Sequence, residues 1–288
     1  PGNWILGQVA GIAVDLQDRI WIIQRPSTLD ESERGAVLNP PRSLCCTPAP
    51  PAMVFDTDGN FIKGWGGPDY APTVDGVNQW PTSEHGIYVD ADMNVWIAGN
   101  AGDDHVVLKF TEDGEFLMQI GRRGMTAGDE STEFLGRPAD IWVDTERKEV
   151  YISDGYRNHR VIVFDSETGE FKRLWGAYAM PPGDPTAQPQ FGNPVHCVVG
   201  GPDGLIYVCD RVNNRIQVFR NEADGRVSFV REHYLARNTL GNGAVWDLDF
   251  SPDGEWMYVA DGENQRVWIL RRRTGEVVSW FGRGGRYA

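Results

Sequence analysis

Apolar and polar residues alternate along this chain in short runs. Lining up GIAVDLQDRIWIIQR, HGIYVDADMNVWIAGN, DIWVDTERKEVYISDGY, CVVGGPDGLIYVCDR and DLDFSPDGEWMYVADGE gives one unit five times over. Each copy is an alternating strand, a polar turn and a second strand with an aromatic residue at a fixed place. Those aromatics are Trp21, Trp96, Tyr151, Tyr207 and Tyr258, spaced 75, 55, 56 and 51 residues apart. Period-two alternation marks half-buried strands, and no stretch of useful length carries a helical period. A third strand follows in AMVFDTDGNF, VVLKFTEDGEF, VIVFDSETGEF, IQVFRNEADGRVSF and VWILRRRTGEV. The Asp-Gly and Thr-Gly pairs inside these segments are strong hairpin signals. A fourth strand often ends in aromatic-glycine, as at Trp65-Gly66, Trp175-Gly176 and Phe281-Gly282.

Four antiparallel strands repeated at roughly 50 residues predict an all-β fold, a β-propeller. The expected organisation is a single propeller domain over 1–288, with blades near 8–66, 83–121, 138–176, 194–233 and 244–282. Five blades are visible. A six-bladed ring, truncated or completed elsewhere, is favoured over a closed five-bladed one. The N-terminal NWILG resembles the end of an outermost strand able to close a last blade. The extra length of blade 1 falls in a proline-rich insertion, 26–51, expected as a long surface loop.

The repeat converts into a site map. Strands a and b are antiparallel neighbours, so the start of a and the end of b lie at the same end of each blade, here the expected channel mouth. At one repeat position before strand a stand His85 in blade 2 and His196 in blade 4, with Ala10 in blade 1, Ala139 or Asp140 in blade 3 and Trp246 or Asp247 in blade 5. At the end of strand b come Arg25, Asn100, Asp154-Gly155-Tyr156, Asp210-Arg211 and Asp261. Two imidazoles on alternate blades suit zinc, and catalytic zinc keeps an open position beside three protein ligands. The third ligand would come from a blade outside these five. His105, His159 and His233 do not share the position and are read as surface residues. Arg25 and Arg211 either serve the site or pair with carboxylates, and Tyr156 either serves the site or packs. Asp56, Asp113, Asp203 and Asp253 read as turn formers.

Composition narrows the partners. A net charge of −14 and a pI near 4.8 argue against nucleic acid or an anionic membrane surface. No apolar run approaches the roughly 20 residues of a membrane helix. The expected partner is therefore a small-molecule or peptide substrate. There are four cysteines and no CxxC spacing. Cys197 and Cys209 fall on the two arms of one hairpin; buried thiols are the favoured reading and a cross-strand disulfide the alternative. The chain opens on Pro1 without a methionine, which leaves the compartment open, with a secreted or periplasmic location favoured.

DGYRNHRVIVFD, DRVNNRIQVF and DGENQRVWIL look like NHL repeats. More narrowly, LGQVAGIAVDLQDRIWIIQR, EHGIYVDADMNVWIAGN, ISDGYRNHRVIVFD and NPVHCVVGGPDGLIYVCDRVNNRIQVF resemble the peptidyl-α-hydroxyglycine α-amidating lyase family. That resemblance implies a six-bladed propeller with a three-histidine zinc and a structural calcium. It implies cleavage of an α-hydroxyglycine-extended peptide to the peptide amide and glyoxylate. His85 and His196 match two zinc ligands, Tyr156 matches the catalytic base, and Arg25 and Arg211 match the active-site arginines. The backbone carbonyls of Ile12 and Ile87 match two calcium ligands. The family's third histidine and its calcium aspartate fall past Ala288, and its cysteine pairs have no counterpart here. Two alternatives remain: a non-catalytic NHL binding module that uses the insertion as a contact loop, and a calcium-dependent lactonase-type hydrolase drawing on Asn100, Asp154, Asp210 and Asp261.

Overall fold

The computed structural model describes residues 3–285. Five four-stranded antiparallel sheets follow one another along the chain, each with its strands hydrogen-bonded in sequence order. They are the blades of an all-β propeller, and the helical content among the described residues is confined to four short 3-10 turns. Strands a and b of the five blades are Gln8–Val14 and Ile20–Arg25, Glu84–Val89 and Val95–Gly99, Asp140–Asp144 and Glu149–Asp154, Val195–Gly200 and Ile206–Asp210, and Asp247–Phe250 and Trp256–Asp261. The chain divides into two compact units. Unit 1 holds blades 1 and 2 with residues 133–138, and unit 2 holds blades 3 to 5 with residues 127–132.

The repeated aromatic has a physical cause. Trp21, Trp96, Tyr151 and Tyr207 are fully buried on strand b, and each carries a polar atom that burial would orphan. A carboxylate from the a–b turn, or in blade 3 from the first residue of strand b, accepts from each. The indole Nε1 of Trp21 donates to Asp15 Oδ2 at 2.8 Å and that of Trp96 to Asp90 Oδ2 at 2.9 Å. The hydroxyls of Tyr151 and Tyr207 donate to Glu149 Oε2 at 2.6 Å and Asp203 Oδ2 at 3.0 Å. Asp90 also accepts from the backbone N–H of Asp92 and Asn94, which closes the turn itself. One acid therefore shapes the turn and seats the ring behind it. Asp203, expected only as a turn former, does both.

Three expectations change. NWILG does not act as an outermost strand: Trp4–Ile5 pairs in parallel with Thr47–Pro48, so the N-terminal segment ties down the blade 1 insertion. Cys197 and Cys209 are not free thiols but form a disulfide. They face each other across strands a and b of blade 4, and their Cα atoms are 4.8 Å apart, within disulfide reach. His105 and His233 are buried rather than superficial. His105 Nδ1 accepts from the Arg137 N–H at 3.2 Å, and burial, then Arg231, pushes His233 down to about 4. His159 is half-exposed beside Asp129, whose hydrogen bond raises it.

Replacing Asp90 by Ala removes the acceptor of four donors, the Trp96 indole, the Asn94 side-chain amide and the N–H groups of Asp92 and Asn94. We expect a loss of about 2–3 kcal/mol in urea unfolding. Loss of the exposed turn carboxylate in Asp58→Ala is expected to change stability by less than about 0.5 kcal/mol in the same assay.

Candidate functional site

The strand register settles which residues share the histidine position. The strand-b aromatics pair with Ala13, Tyr88, Trp142, Val199 and Asp249. Counting back three residues gives Ala10, His85, Ala139, His196 and Trp246. The alternatives at blades 3 and 5 thus resolve to Ala139 and Trp246, and Asp140 and Asp247 lie one residue further into strand a.

Unit 2 brings three of the expected residues together. Tyr156 Oη lies 3.0 Å from His196 Nε2, and Arg211 Nη1 donates to Tyr156 Oη at 3.4 Å. His196 Nδ1 lies 2.5 Å from the carbonyl oxygen of Trp246. A carbonyl can only accept, so Nδ1 carries the proton; in the neutral ring Nε2 is the acceptor and the Tyr156 hydroxyl donates to it. Arg211 is 7% exposed. Its guanidinium carbon sits 4.7 Å from the Trp246 ring centre and 5.7 Å from that of Tyr156, both within cation–π reach. Arg211 Nε has no hydrogen-bond partner among the described residues. Among the described residues no carboxylate pairs with it either.

Backbone contacts place this cluster. Gly155 packs so tightly on blade 4 that a Cβ there would stand 2.0 Å from the Val195 carbonyl oxygen. Asn193 Nδ2 donates to the Tyr156 carbonyl at 2.9 Å. The Tyr156 and His196 rings thereby meet edge to face, with centroids 5.7 Å apart.

Unit 1 carries His85, Arg25, Ile12 and Ile87. His85 opens strand a of blade 2 and is 9% exposed. Arg25 Nε donates to the Glu84 carbonyl at 2.6 Å, so this guanidinium braces the backbone just ahead of His85. Gly11 lies against the same place, since a Cβ there would stand 2.7 Å from the His85 carbonyl oxygen. Ile12 and Ile87 hold matching places on the adjacent a strands, Ile12 with an exposed side chain and Ile87 with a buried one.

His196 is oriented as a metal-binding imidazole usually is, with its second nitrogen on a backbone carbonyl. However, among the described residues no group of three or more His, Cys, Asp or Glu is placed to hold a metal ion. The described residues therefore do not supply a three-donor zinc set. The acids named for the lactonase alternative are also committed elsewhere. Asp154 accepts from Asn158 and Arg160, Asp210 from Gly192, Asn213 and Arg215, and Asp261 from Asn264 and Trp268.

Sequence reasoning missed an acid pair in unit 2. Asp140 and Asp247 hold the same repeat position on strand a of blades 3 and 5, and Asp140 Oδ2 accepts from the Val198 N–H at 3.2 Å. Burial, then the charge of Asp247, raises Asp140 well above the ordinary carboxylate range. Burial, then the charge of Asp249, raises Asp247 to about 6. The signal available was the repeat itself, which places both acids one step past the histidine position.

The family model described as lactonase, 7-bladed beta-propeller, matches residues 83–279. Peptidylglycine alpha-amidating monooxygenase of Rattus norvegicus is 26% identical over 289 residues, covering 98% of this chain and 28% of that protein. NHL repeat-containing protein 3 of Mus musculus is 28% identical over 228 residues, covering 77% of this chain and 58% of that protein. The chain thus spans less than two thirds of either relative. Among solved structures, the periplasmic gluconolactonase PpgL of Pseudomonas aeruginosa aligns with a TM-score of 0.57 at 14% identity, over 95% of this chain and 72% of that one. The resemblance read from the repeats is borne out, and the blade count in the family description is seven rather than six.

The acid pair makes a pH-dependent prediction. A carboxyl whose folded pKa is raised weakens the fold above its unfolded value, and the penalty is fully present above the folded pKa. Asp140→Asn is therefore expected to raise the melting temperature at pH 8, with the gain shrinking as the pH falls toward 4. Melting curves across that range check it.

Proposed function

The chain belongs to the lactonase, 7-bladed beta-propeller family, and from that premise we propose a lyase-like enzyme acting on a small hydroxylated carboxylate, the α-hydroxyglycine end of a peptide above all. The observation that carries the reading is the contact chain Arg211–Tyr156–His196–Trp246 in unit 2. The similarity to the amidating monooxygenases supports it.

The chemistry follows from the donors. Tyr156 would pass its phenolic proton to His196 Nε2, the acceptor in the neutral ring. The phenolate oxygen would then take the proton of the substrate's hydroxyl. As the oxygen's electron pair forms the aldehyde of glyoxylate, the carbon–nitrogen bond breaks. The departing amide nitrogen takes that bond's electrons and the proton held on His196. Tyrosine and histidine end as they began, so atoms and charge balance. Arg211 would meet the substrate carboxylate with its unpartnered Nε–H while its Nη1 steadies the phenolic oxygen. His85 and Arg25 hold the corresponding positions in unit 1 and are the further candidates. No step above passes through zinc or calcium.

A second reading has its own support. The family description and the Asp140–Asp247 pair favour lactone hydrolysis, in which an acid and its conjugate base share a site. A lactone panel with and without calcium separates the two: lactone turnover lost in Asp247→Asn yet kept in Tyr156→Phe would select the hydrolase.

For the lyase, Tyr156→Phe is expected to lower glyoxylate release from an α-hydroxyglycine-extended peptide by about 10²-fold or more. Undiminished turnover in that variant would sink the reading. Metal analysis of the purified protein, with His85→Ala and His196→Ala beside it, tests zinc: stoichiometric metal that both variants lose is the result that would bring it into the reaction.

A further inference from the structure

Unit 1 contains a cavity of about 610 Å³, within the range of small-ligand pockets. The blade 1 insertion walls one side, and the segment leading into strand a of blade 2 walls the other. Its lining includes Trp65, Tyr70, Trp80, Pro50, Arg123 and Glu84. Trp65 and Trp80 are almost wholly buried, whereas Tyr70 is 39% exposed. The Trp65 and Tyr70 rings lie 5.8 Å apart. Gly66 passes close by, and at its φ of +112° a Cβ would stand 2.8 Å from the Trp80 ring.

Glu84 sets the character of this cavity. It is 4% exposed. Its Oε1 accepts from Trp80 Nε1 at 2.7 Å, but Oε2 has no hydrogen-bond partner among the described residues. A buried carboxylate oxygen left without a donor is costly. Neither nearby guanidinium hydrogen-bonds the Glu84 side chain: Arg25 acts on it through charge alone, and Arg123 Nε has no hydrogen-bond partner among the described residues. Arg123 donates to the carbonyls of Asn78 and Trp80 and to Asp103. Arg25 reaches the Glu84 backbone carbonyl rather than its side chain.

We propose that this cavity binds a small organic cation, an ammonium or guanidinium on an apolar stem, with Glu84 Oε2 as its charge partner. The indole and phenol faces attract cations, the proline wall suits the stem, and the ligand's N–H supplies the donor that Oε2 lacks. An anion would meet the Glu84 charge. A divalent metal would find one carboxylate among indoles instead of a shell of oxygens. The proposal stands apart from the reaction assigned to unit 2.

The test titrates 2-phenylethylammonium and its neutral counterpart 2-phenylethanol into the protein, followed by tryptophan fluorescence and calorimetry. The ammonium is expected to bind about tenfold or more tightly than the alcohol. Glu84→Gln keeps an oxygen for Trp80 and turns the free one into a donor, so it is expected to abolish that preference. Tyr70→Ala, at an exposed ring, is expected to weaken the ammonium about threefold with an unchanged melting temperature. Equal affinity of wild type for both probes, no binding of either, or a preference that survives Glu84→Gln overturns the proposal. The wild-type comparison depends on no variant folding.

Discussion

Asp154 and Asp210 are carboxylates sealed from water at the ends of two b strands, and each is caught by a guanidinium that is itself sealed. Arg160 Nε meets Asp154 Oδ2 at 2.9 Å, and Arg215 Nε meets Asp210 Oδ2 at 2.6 Å. Asn158 donates to the same Oδ2 of Asp154, and Asn213 donates to both carboxylate oxygens of Asp210. A buried ion pair is a poor source of net stability, but removing one partner costs about 3–5 kcal/mol because the other charge is left stranded. Its effect here is positional. Arg160 also reaches the carbonyls of Asp129 and Ser131, and Arg215 those of Pro189 and Gln190. Each knot therefore binds strand b, strand c and an incoming loop into one rigid corner.

The unit 2 site hangs from these corners. Tyr156 lies two residues past Asp154, and Arg211 lies one past Asp210. His196 comes from the neighbouring a strand and is oriented by a carbonyl of the next blade. The disulfide pins strands a and b of blade 4 beside both His196 and Asp210. The tyrosine, the imidazole and the guanidinium thus meet without any one of them depending on a free loop. This is how a site on connecting segments acquires the precision of a sheet.

The fold was legible because its rule is repetitive. Period-two alternation, Asp-Gly turns and a fixed aromatic leave little freedom in the strands or their order. The end of the blades that gathers His196, Tyr156 and Arg211 was legible as well, since antiparallel pairing alone brings those chain positions to one end. What could not be read depends on neighbours that carry no residue signature. The partner of His196 is a backbone carbonyl, and any residue at position 246 would offer one. The acids at the strand-b ends look like site residues in sequence, yet Arg160 and Arg215 draw them inward. Asp140 and Asp247 matter as a pair only because blades 3 and 5 sit on either side of blade 4. The ring of buried His105 accepts from the backbone N–H of Arg137, 32 residues away.

One slot recurs directly after the strand-b acid. It holds Gly155 in blade 3, Arg211 in blade 4 and Gly262 in blade 5. At the two glycines a side chain is refused: by the Val195 backbone in one case and by the Trp246 ring in the other. At Arg211 a long side chain reaches out across two aromatic rings. The acid before the slot is tied into the fold, while the slot itself differs from copy to copy. In a molecule built from one repeated unit, this is the place where a copy can carry a working group of its own while the framework around it stays the same.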